Sequence, residues 1–328
     1  MKPWGKTSWL LPRIHANHWH VITSSSFEDR CLALVDWMQS TNQPISSSVL
    51  LRIDNPPSDQ WTKSIPRIEN NFAVLSERLA SPQHRLINVA LLGGNLGALI
   101  SIDSLIQDRS ESVILDMTTL PKRFFLFALK QLLNSFHVKN LVVTYACADK
   151  YPESPLCEDA LPPIALPAFG RIHTLTDLPR MVVGVGYMPL SVEDLLDKAK
   201  HSKLDFIFPF PPASPAFRRN WALLSMLMPS DFPRNTEIHR VHGMDAFEVF
   251  ERVSAWGRNR PLDLLPLGPK PHSLGMAMAY MRLDGHAELI YSQPQVYRHD
   301  YSSGVAKDEN GKAIIYGYCL KYQGKQLF

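Results

Sequence analysis

Residues 112–133 read SVILDMTTLPKRFFLFALKQLL, and residues 261–282 read PLDLLPLGPKPHSLGMAMAYMR. Each passes from a short apolar run through a polar or turn-forming break into Pro-Lys. Each then continues with apolar residues at helical spacing. A short β-branched or aliphatic run bounded by turn residues reads as a buried strand, and apolar residues recurring every three or four positions read as a helix. The chain therefore builds a strand, a corner and a helix twice in the same style.

Working outward, further strands are expected at 20–25, 49–53, 86–92, 113–117 and 141–146 in the first half. In the second half they are expected at 181–186, 205–210, 237–241, 262–267 and 288–293. Helical patterns lie between them at 27–39, 60–80, 95–107 and 121–136, then at 191–200, 215–228, 244–257 and 271–283. Strands alternating with helices imply parallel pairing through right-handed crossovers. The fold class is thus α/β: two Rossmann-like parallel-sheet halves related by a degenerate internal duplication. Asn310-Gly311, a favoured hairpin turn, adds a C-terminal β-hairpin.

Residues 151–180 contain six prolines, and repeated proline removes donors and restricts its neighbours. The expected organisation is 1–150 as the first half, 151–180 as a proline-rich linker or crossover, and 181–328 as the second half with the hairpin. Upstream of the two Pro-Lys corners, VITSSSFEDRCLALVDWM matches FIFPFPPASPAFRRNWALLSML in style. The offset there differs, so the second half is expected to lack about one strand–helix unit.

The chain has 328 residues, 45% hydrophobic, which is ample for two cores. Charged residues make up 20%, with a formal net charge of +3. That bias suits an anionic small ligand and does not demand nucleic acid. The four cysteines lack CxxC spacing, as reduced thiols in a cytosolic protein would. No run of 18 apolar residues and no signal-peptide pattern occurs, so a soluble, cytoplasmic protein with no membrane association is expected.

In open parallel sheets ligands bind beyond the carboxyl ends of the strands, where helix N-termini offer unpaired N–H groups. At the first corner, Thr118 and Thr119 can cap the helix or bond an anion. Pro121 suits a first helical turn, and Lys122 supplies a cation where the macrodipole disfavours one unless an anion lies between. At the second corner, Gly268 lets backbone approach a ligand and Lys270 supplies the charge. Simple solvation of both lysines is the other reading. The corner after the first strand offers Ser24, Ser25, Ser26 and Arg30, with Glu28 and Asp29 as first-turn acids. Its counterpart offers Ser214, Arg218 and Arg219. The turn with Gly93, Gly94 and Gly97 lacks dinucleotide-fingerprint spacing. The late loop at 297–303 offers Tyr297, Arg298, His299 and Asp300, suited either to a base and phosphate or to a protein interface.

Catalysis is not demanded. Asp116 alone is a Mg²⁺ ligand without a site. His272 is a lone acid–base candidate or a surface helix histidine. His15, His18 and His20 lack the partners that zinc needs. No metal and no cofactor is expected, and catalytic residues are unassigned.

The phrases ILDMTTLPK and LLPLGPK resemble the strand–Thr/Gly–Lys corner of CARF- and SAVED-type domains, Rossmann-like sensors of prokaryotic antiviral systems. The T-G-G-T-K run of that family is replaced here by T-T-L-P-K and L-G-P-K. The resemblance implies two fused CARF-like halves that recognise a cyclic oligonucleotide or another nucleotide-derived signal and act on a partner effector subunit. It carries to Thr118, Thr119, Lys122, Gly268 and Lys270. Two other readings stand beside it: a phosphoester-cleaving enzyme acting on nucleotides or nucleic acid, and a non-catalytic interaction subunit of a larger defence complex.

Overall fold

The structure, a computed structural model, describes residues 3–81, 83–93, 101–106, 111–152, 156–172, 177–186, 203–211, 221, 224, 236–258 and 260–328. The chain forms two units, Met1–Lys150 with Val296–Phe328, and Tyr151–Gln295.

In the first unit five parallel strands carry the sheet: β1 (Trp19–Ser24), β2 (Ile45–Asp54), β3 (His84–Ala90), β4 (Ser112–Asp116) and β5 (Asn140–Ala146). Their spatial order is β3-β2-β1-β4-β5. Every residue of β1, β4 and β5 is buried. This explains their unbroken apolar runs, since a parallel sheet is covered on both faces. One face packs Val21, Ile114 and Val142 against Leu34 and Met38 of helix α1 (Ala33–Ser40) and against Leu10, Leu11 and Trp19. On another cluster Leu50 meets Leu75 of helix α2 (Asp59–Arg78) and Leu79. Helix α3 (Lys122–Asn134) buries nine of its side chains, among them Phe124, Phe125 and Leu129.

The C-terminal segment belongs to this unit and not to the second half. Strand Ile315–Tyr322 pairs antiparallel with β5, Trp4–Lys6 pairs with its outer side, and Lys325–Gln326 folds back on it across a turn at Gln323-Gly324, not at the expected Asn310-Gly311. The Asn310-Gly311 turn, with Gly311 at φ +72°, feeds this strand. Lys321 is buried there and donates to the carbonyls of Ser135 (2.7 Å) and Leu133 (3.4 Å), closing the C-terminal end of α3.

The second unit repeats the order. Strands β6 (Arg180–Gly184), β7 (Lys203–Pro209), β8 (Glu237–Val241), β9 (Leu262–Leu265) and β10 (Ala287–Tyr291) stand as β8-β7-β6-β9-β10, all parallel. Ile164–Ala165, inside the proline-rich stretch, adds an antiparallel edge to β10. Helices α4 (Ala246–Trp256) and α5 (Lys270–Arg282) pack through Gly275, whose absent side chain would meet the Ala246 carbonyl oxygen at 2.3 Å.

Among the described residues each unit thus holds five parallel strands in the same order, so the second half is not one strand short. The position equivalent to β1 is β6. The stretch 206–227, matched to it by composition, begins in β7 and corresponds in topology to β2. The expected helices at 191–200 and 215–228, and most of 95–107, lie outside the described residues.

Candidate functional site

The order 3-2-1-4-5 reverses direction between its first and fourth strands. Connections leave those two strands in opposite directions, and a crevice opens at their carboxyl ends. In the first unit this lies between β1 and β4, and in the second between β6 and β9. Both Pro-Lys corners follow the fourth strand, so each falls on the switch point of its own sheet.

The two corners are built alike. Pro121 and Pro269 are the residues flanking α3 and α5, at φ/ψ −56/149° and −55/151°. They stand one place earlier than a first helical turn. Both helices have 13 residues, begin with lysine, lack a side-chain cap and carry no acid in the first turn. Proline has no side-chain oxygen to offer as a cap; the Pro121 carbonyl accepts from Phe124 and Phe125 N–H (3.0 and 3.2 Å), and the Pro269 carbonyl accepts from Ser273 N–H (3.0 Å).

At the first corner hydroxyls line the crevice. Thr119 Oγ1 donates to the Ser24 carbonyl (3.2 Å) and accepts from Ser24 Oγ (3.0 Å), linking the ends of β4 and β1. Ser25 follows at 7% exposure, and its Oγ has no hydrogen-bond partner. A buried hydroxyl without a partner is costly and calls for an explanation. Lys122, the first residue of α3, is buried at 9% exposure. Arg123 reaches across to the Leu91 carbonyl at 2.7 Å, tying the end of the third-strand corner to α3. Of the glycines there, Gly94 and Gly97 lie outside the described residues.

Thr118 and Asp116 serve the frame instead. Asp116 is buried and accepts from Thr118 N (3.1 Å), Thr118 Oγ1 (2.5 Å), Thr144 Oγ1 (3.2 Å) and Thr23 Oγ1 (3.2 Å). Thr118 Oγ1 in turn accepts from the Ala146 N–H at 2.9 Å. Three strand ends are laced through one carboxylate, whose pKa burial pushes upward against those hydrogen bonds. A saturated, buried carboxyl is not a Mg²⁺ ligand, and Thr118, fully buried, has no hydroxyl to turn toward an anion.

Arg30 is also corrected. It is 2% exposed, and its guanidinium holds Glu28 Oε2 (2.9 and 2.8 Å), Tyr145 OH (3.1 Å) and the Ala146 carbonyl (3.3 Å). Glu28 therefore balances Arg30 and does not cap a helix. Helix α1 starts only at Ala33, after a short 3-10 turn at Asp29–Cys31.

At the second corner Gly268 answers to the chain itself. A Cβ there would meet the Val185 carbonyl oxygen at 3.1 Å, and one on Gly186 would meet the Leu267 oxygen at 2.4 Å. The strand ends close on each other through glycine, with no room for a Cβ at Gly186. Lys270 is half-buried at its rim. His272 is buried, with Nε2 at 3.1 Å from the His242 carbonyl, and is not a surface residue. Ser214, Arg218 and Arg219 lie outside the described residues.

Tyr297, Arg298, His299 and Tyr301 are half-buried on a strap returning to the first unit. Arg298 pairs bidentately with Asp300 (2.9 and 3.2 Å), which holds that carboxyl below its usual range. His299 gives both its N–H and its Nδ1 to Gln60 Oε1 (3.2 and 2.8 Å). Asp116, His272 and His299 are thus each engaged in structure.

Of the N-terminal histidines, His15 and His18 are exposed. His20 is buried, between Ser47 Oγ and the Leu105 carbonyl, both at 2.6 Å. Asp205, Glu237 and His239 bring three potential metal-ligand atoms within 4.8 Å of one another. Arg180 and Lys203 already hold those carboxylates, at 2.5 Å to Asp205 and 2.7 Å to Glu237. The cluster also stands toward the amino ends of β6–β8, away from the carboxyl edge. Burial pushes the thiols of Cys31 and Cys319 up to about 12 and that of Cys147 up to about 11, which leaves them protonated and poorly nucleophilic. Among the described residues no helix is long and apolar enough to cross a membrane.

Sequence reading offered Ser25 together with its neighbours without singling out its partnerless hydroxyl, and it missed the Arg123 tie. A run of three serines after a strand was the available signal for the first. The second has none, because Leu91 and Arg123 meet only in three dimensions.

No family model matches the chain, and no curated protein matches it. Among solved structures, it aligns with a Type III CRISPR defence DNA nuclease activated by cyclic oligoadenylate. The TM-score is 0.50 at 10% identity, over 83% of this chain and 65% of that one. The chain spans just under two thirds of that nuclease's length. A universal stress protein from Archaeoglobus fulgidus aligns over 84% of this chain and 96% of its own at 7% identity, with a TM-score of 0.25 that carries no argument. At such identities the likeness is one of fold: this chain has a Rossmann-like α/β architecture with parallel sheets, similar to that of a CRISPR defence nuclease.

Proposed function

We propose that the chain is a ligand-sensing or regulatory subunit of a prokaryotic antiviral defence system, and that it binds a phosphate-bearing, nucleotide-type ligand at the carboxyl edges of its two sheets. The observation that carries this is the repeated corner. Two helices start with lysine after an uncapped proline, at the switch point of a sheet with the same strand order. Helix N-termini of this kind favour anions, and Ser25 adds a buried hydroxyl awaiting a partner at the first corner. The similar nuclease is activated by cyclic oligoadenylate, a ligand of the same chemical class.

In this reading Ser25, Thr119 and Lys122 serve the first corner and Lys270 the second. The equal strand orders reflect an internal duplication, and each half offers its own corner to a ligand. Occupancy biases an interface with a cytoplasmic effector subunit. The cleaving-enzyme reading has no comparable support, since Asp116 and His272 are taken up in the frame.

Calorimetric titration with cyclic oligoadenylate, AMP, ATP and inorganic pyrophosphate tests the proposal. Wild type is expected to bind at least one of them. Lys122→Gln and Lys270→Gln should each weaken binding roughly tenfold or more, the loss of a charge-assisted contact of about 1.5–3 kcal/mol. Circular dichroism should show both variants folded. No heat with any probe, or equal binding by the folded double variant, overturns it.

A further inference from the structure

We infer that the returning strap Val296–Ser302 forms the base-facing wall of the first unit's site, with Tyr297 and Tyr301 as the side chains that select a nucleotide over a bare phosphate. This rests on the ligand-sensing reading above and names the part of the ligand which that reading leaves open.

The strap is fastened to one corner after another along the carboxyl edge. Ser302 Oγ donates to Glu28 Oε2 at 2.5 Å, in the loop that follows β1. His299 holds Gln60, at the start of α2 after β2, through two donors. Tyr297 lies in the neighbourhood of Arg123, at the start of α3 after β4. Beyond the strap, Ser303 and Val305 pair with Lys150 and Ala148, just past β5. Four of the five strand ends are therefore reached within ten residues of chain.

Two features make this more than a connection. Tyr297 and Tyr301 meet edge to face with centroids 6.0 Å apart, and both are half-buried. An aromatic pair held in place presents π-surface at low entropic cost. The strap is also braced from within, by the Arg298–Asp300 pair and by the Tyr301 N–H to Arg298 carbonyl turn at 3.1 Å. Phosphate at the uncapped start of α3 and at Ser25 leaves the attached base to lie against whatever borders that edge. Among the described residues the strap is the aromatic element fastened along that edge, and every base has a face for an aromatic ring.

The test compares base-bearing and base-free probes by calorimetry. The probes are cyclic oligoadenylate and AMP against ribose 5-phosphate and pyrophosphate. The proteins are the full chain, Tyr297→Ala, Tyr301→Ala and the conservative Tyr297→Phe. Each alanine variant should lose roughly five- to a hundredfold in affinity for the base-bearing probe, the range of one base–aromatic stack. Affinity for base-free probes should be unchanged, and Tyr297→Phe should retain binding. If wild type binds the base-bearing probe and both alanine variants match it, the strap is not the wall, while the ligand-sensing reading stands. If the alanine variants weaken base-bearing and base-free probes equally, the tyrosines act only on strap structure and the inference also falls. If wild type binds no probe, the parent reading fails and takes this one with it.

Discussion

His20 gives the sharpest physical prediction, because its surroundings decide its charge. It is 2% exposed at the start of β1, the central strand. Leu105 offers only a carbonyl, so Nε2 must donate there, and Nδ1 then accepts from Ser47 Oγ. A second proton would displace the Ser47 contact and place a cation in the core. Desolvation, with the nearby Arg85 charge adding to it and the Leu105 hydrogen bond opposing, lowers the pKa from 6.5 to about 4. In the unfolded chain the imidazole titrates normally. Between those two values the unfolded state binds more protons, so stability rises with pH across this window. The contribution is full above 6.5 and is lost as pH falls through about 4. The shift corresponds to about 3 kcal/mol at most. The assay is amide exchange at Val21 and Ile22, fully buried on the same strand, measured through this pH window for wild type and His20→Gln. Wild type should lose protection faster with acid than the variant, by up to about 1.4 kcal/mol per pH unit. His84, also lowered by burial, contributes to both and cancels in the comparison. Equal slopes, or an imidazole that titrates near the ordinary value when followed by NMR in the folded protein, would refute the reasoning.

Two further outcomes concern packing and charge. Gly275→Ala drives a methyl into the Ala246 carbonyl at 2.3 Å and Val249 Cβ at 2.7 Å, so thermal unfolding should show a loss of about 1–3 kcal/mol or more. Gly170→Ala, with nothing within 4 Å, should stay within about 0.5 kcal/mol of wild type, and similar losses in both would contradict the packing argument. Arg30→Met leaves Glu28 buried beside Ser302 without its cation, at a cost of about 3–5 kcal/mol in denaturant unfolding. Adding Glu28→Gln should restore part of that loss, and no recovery would mean that shape rather than charge holds this corner.

Local signals explain what was legible beforehand. The ten parallel strands and helices α2 to α5 follow from apolar periodicity, which depends on neighbours a few residues away. The Pro-Lys corners were readable for the same reason, since proline before a helix is a local stop-and-start signal. The candidate site was legible only in part. Lys122, Thr119 and Lys270 stand where strand-end reasoning put them, whereas Thr118, Arg30 and Gly268 are claimed by the frame. Nothing near Arg30 in sequence distinguishes a phosphate ligand from the partner of a buried Glu28. That choice was made by Tyr145 and Ala146, more than a hundred residues away.

The sequence by itself determined the α/β class, the alternation of elements and the two lysine-bearing helix starts, because backbone propensity and side-chain period are properties of short segments. Only the tertiary structure decided that the last strand joins the first sheet beside β5, that β6 rather than β7 is the counterpart of β1, and that the aromatic strap runs along the carboxyl edge. Those are questions of which strand edges and buried groups find each other across the chain. Hydrogen-bond pairing and burial answer them between residues that no local pattern connects.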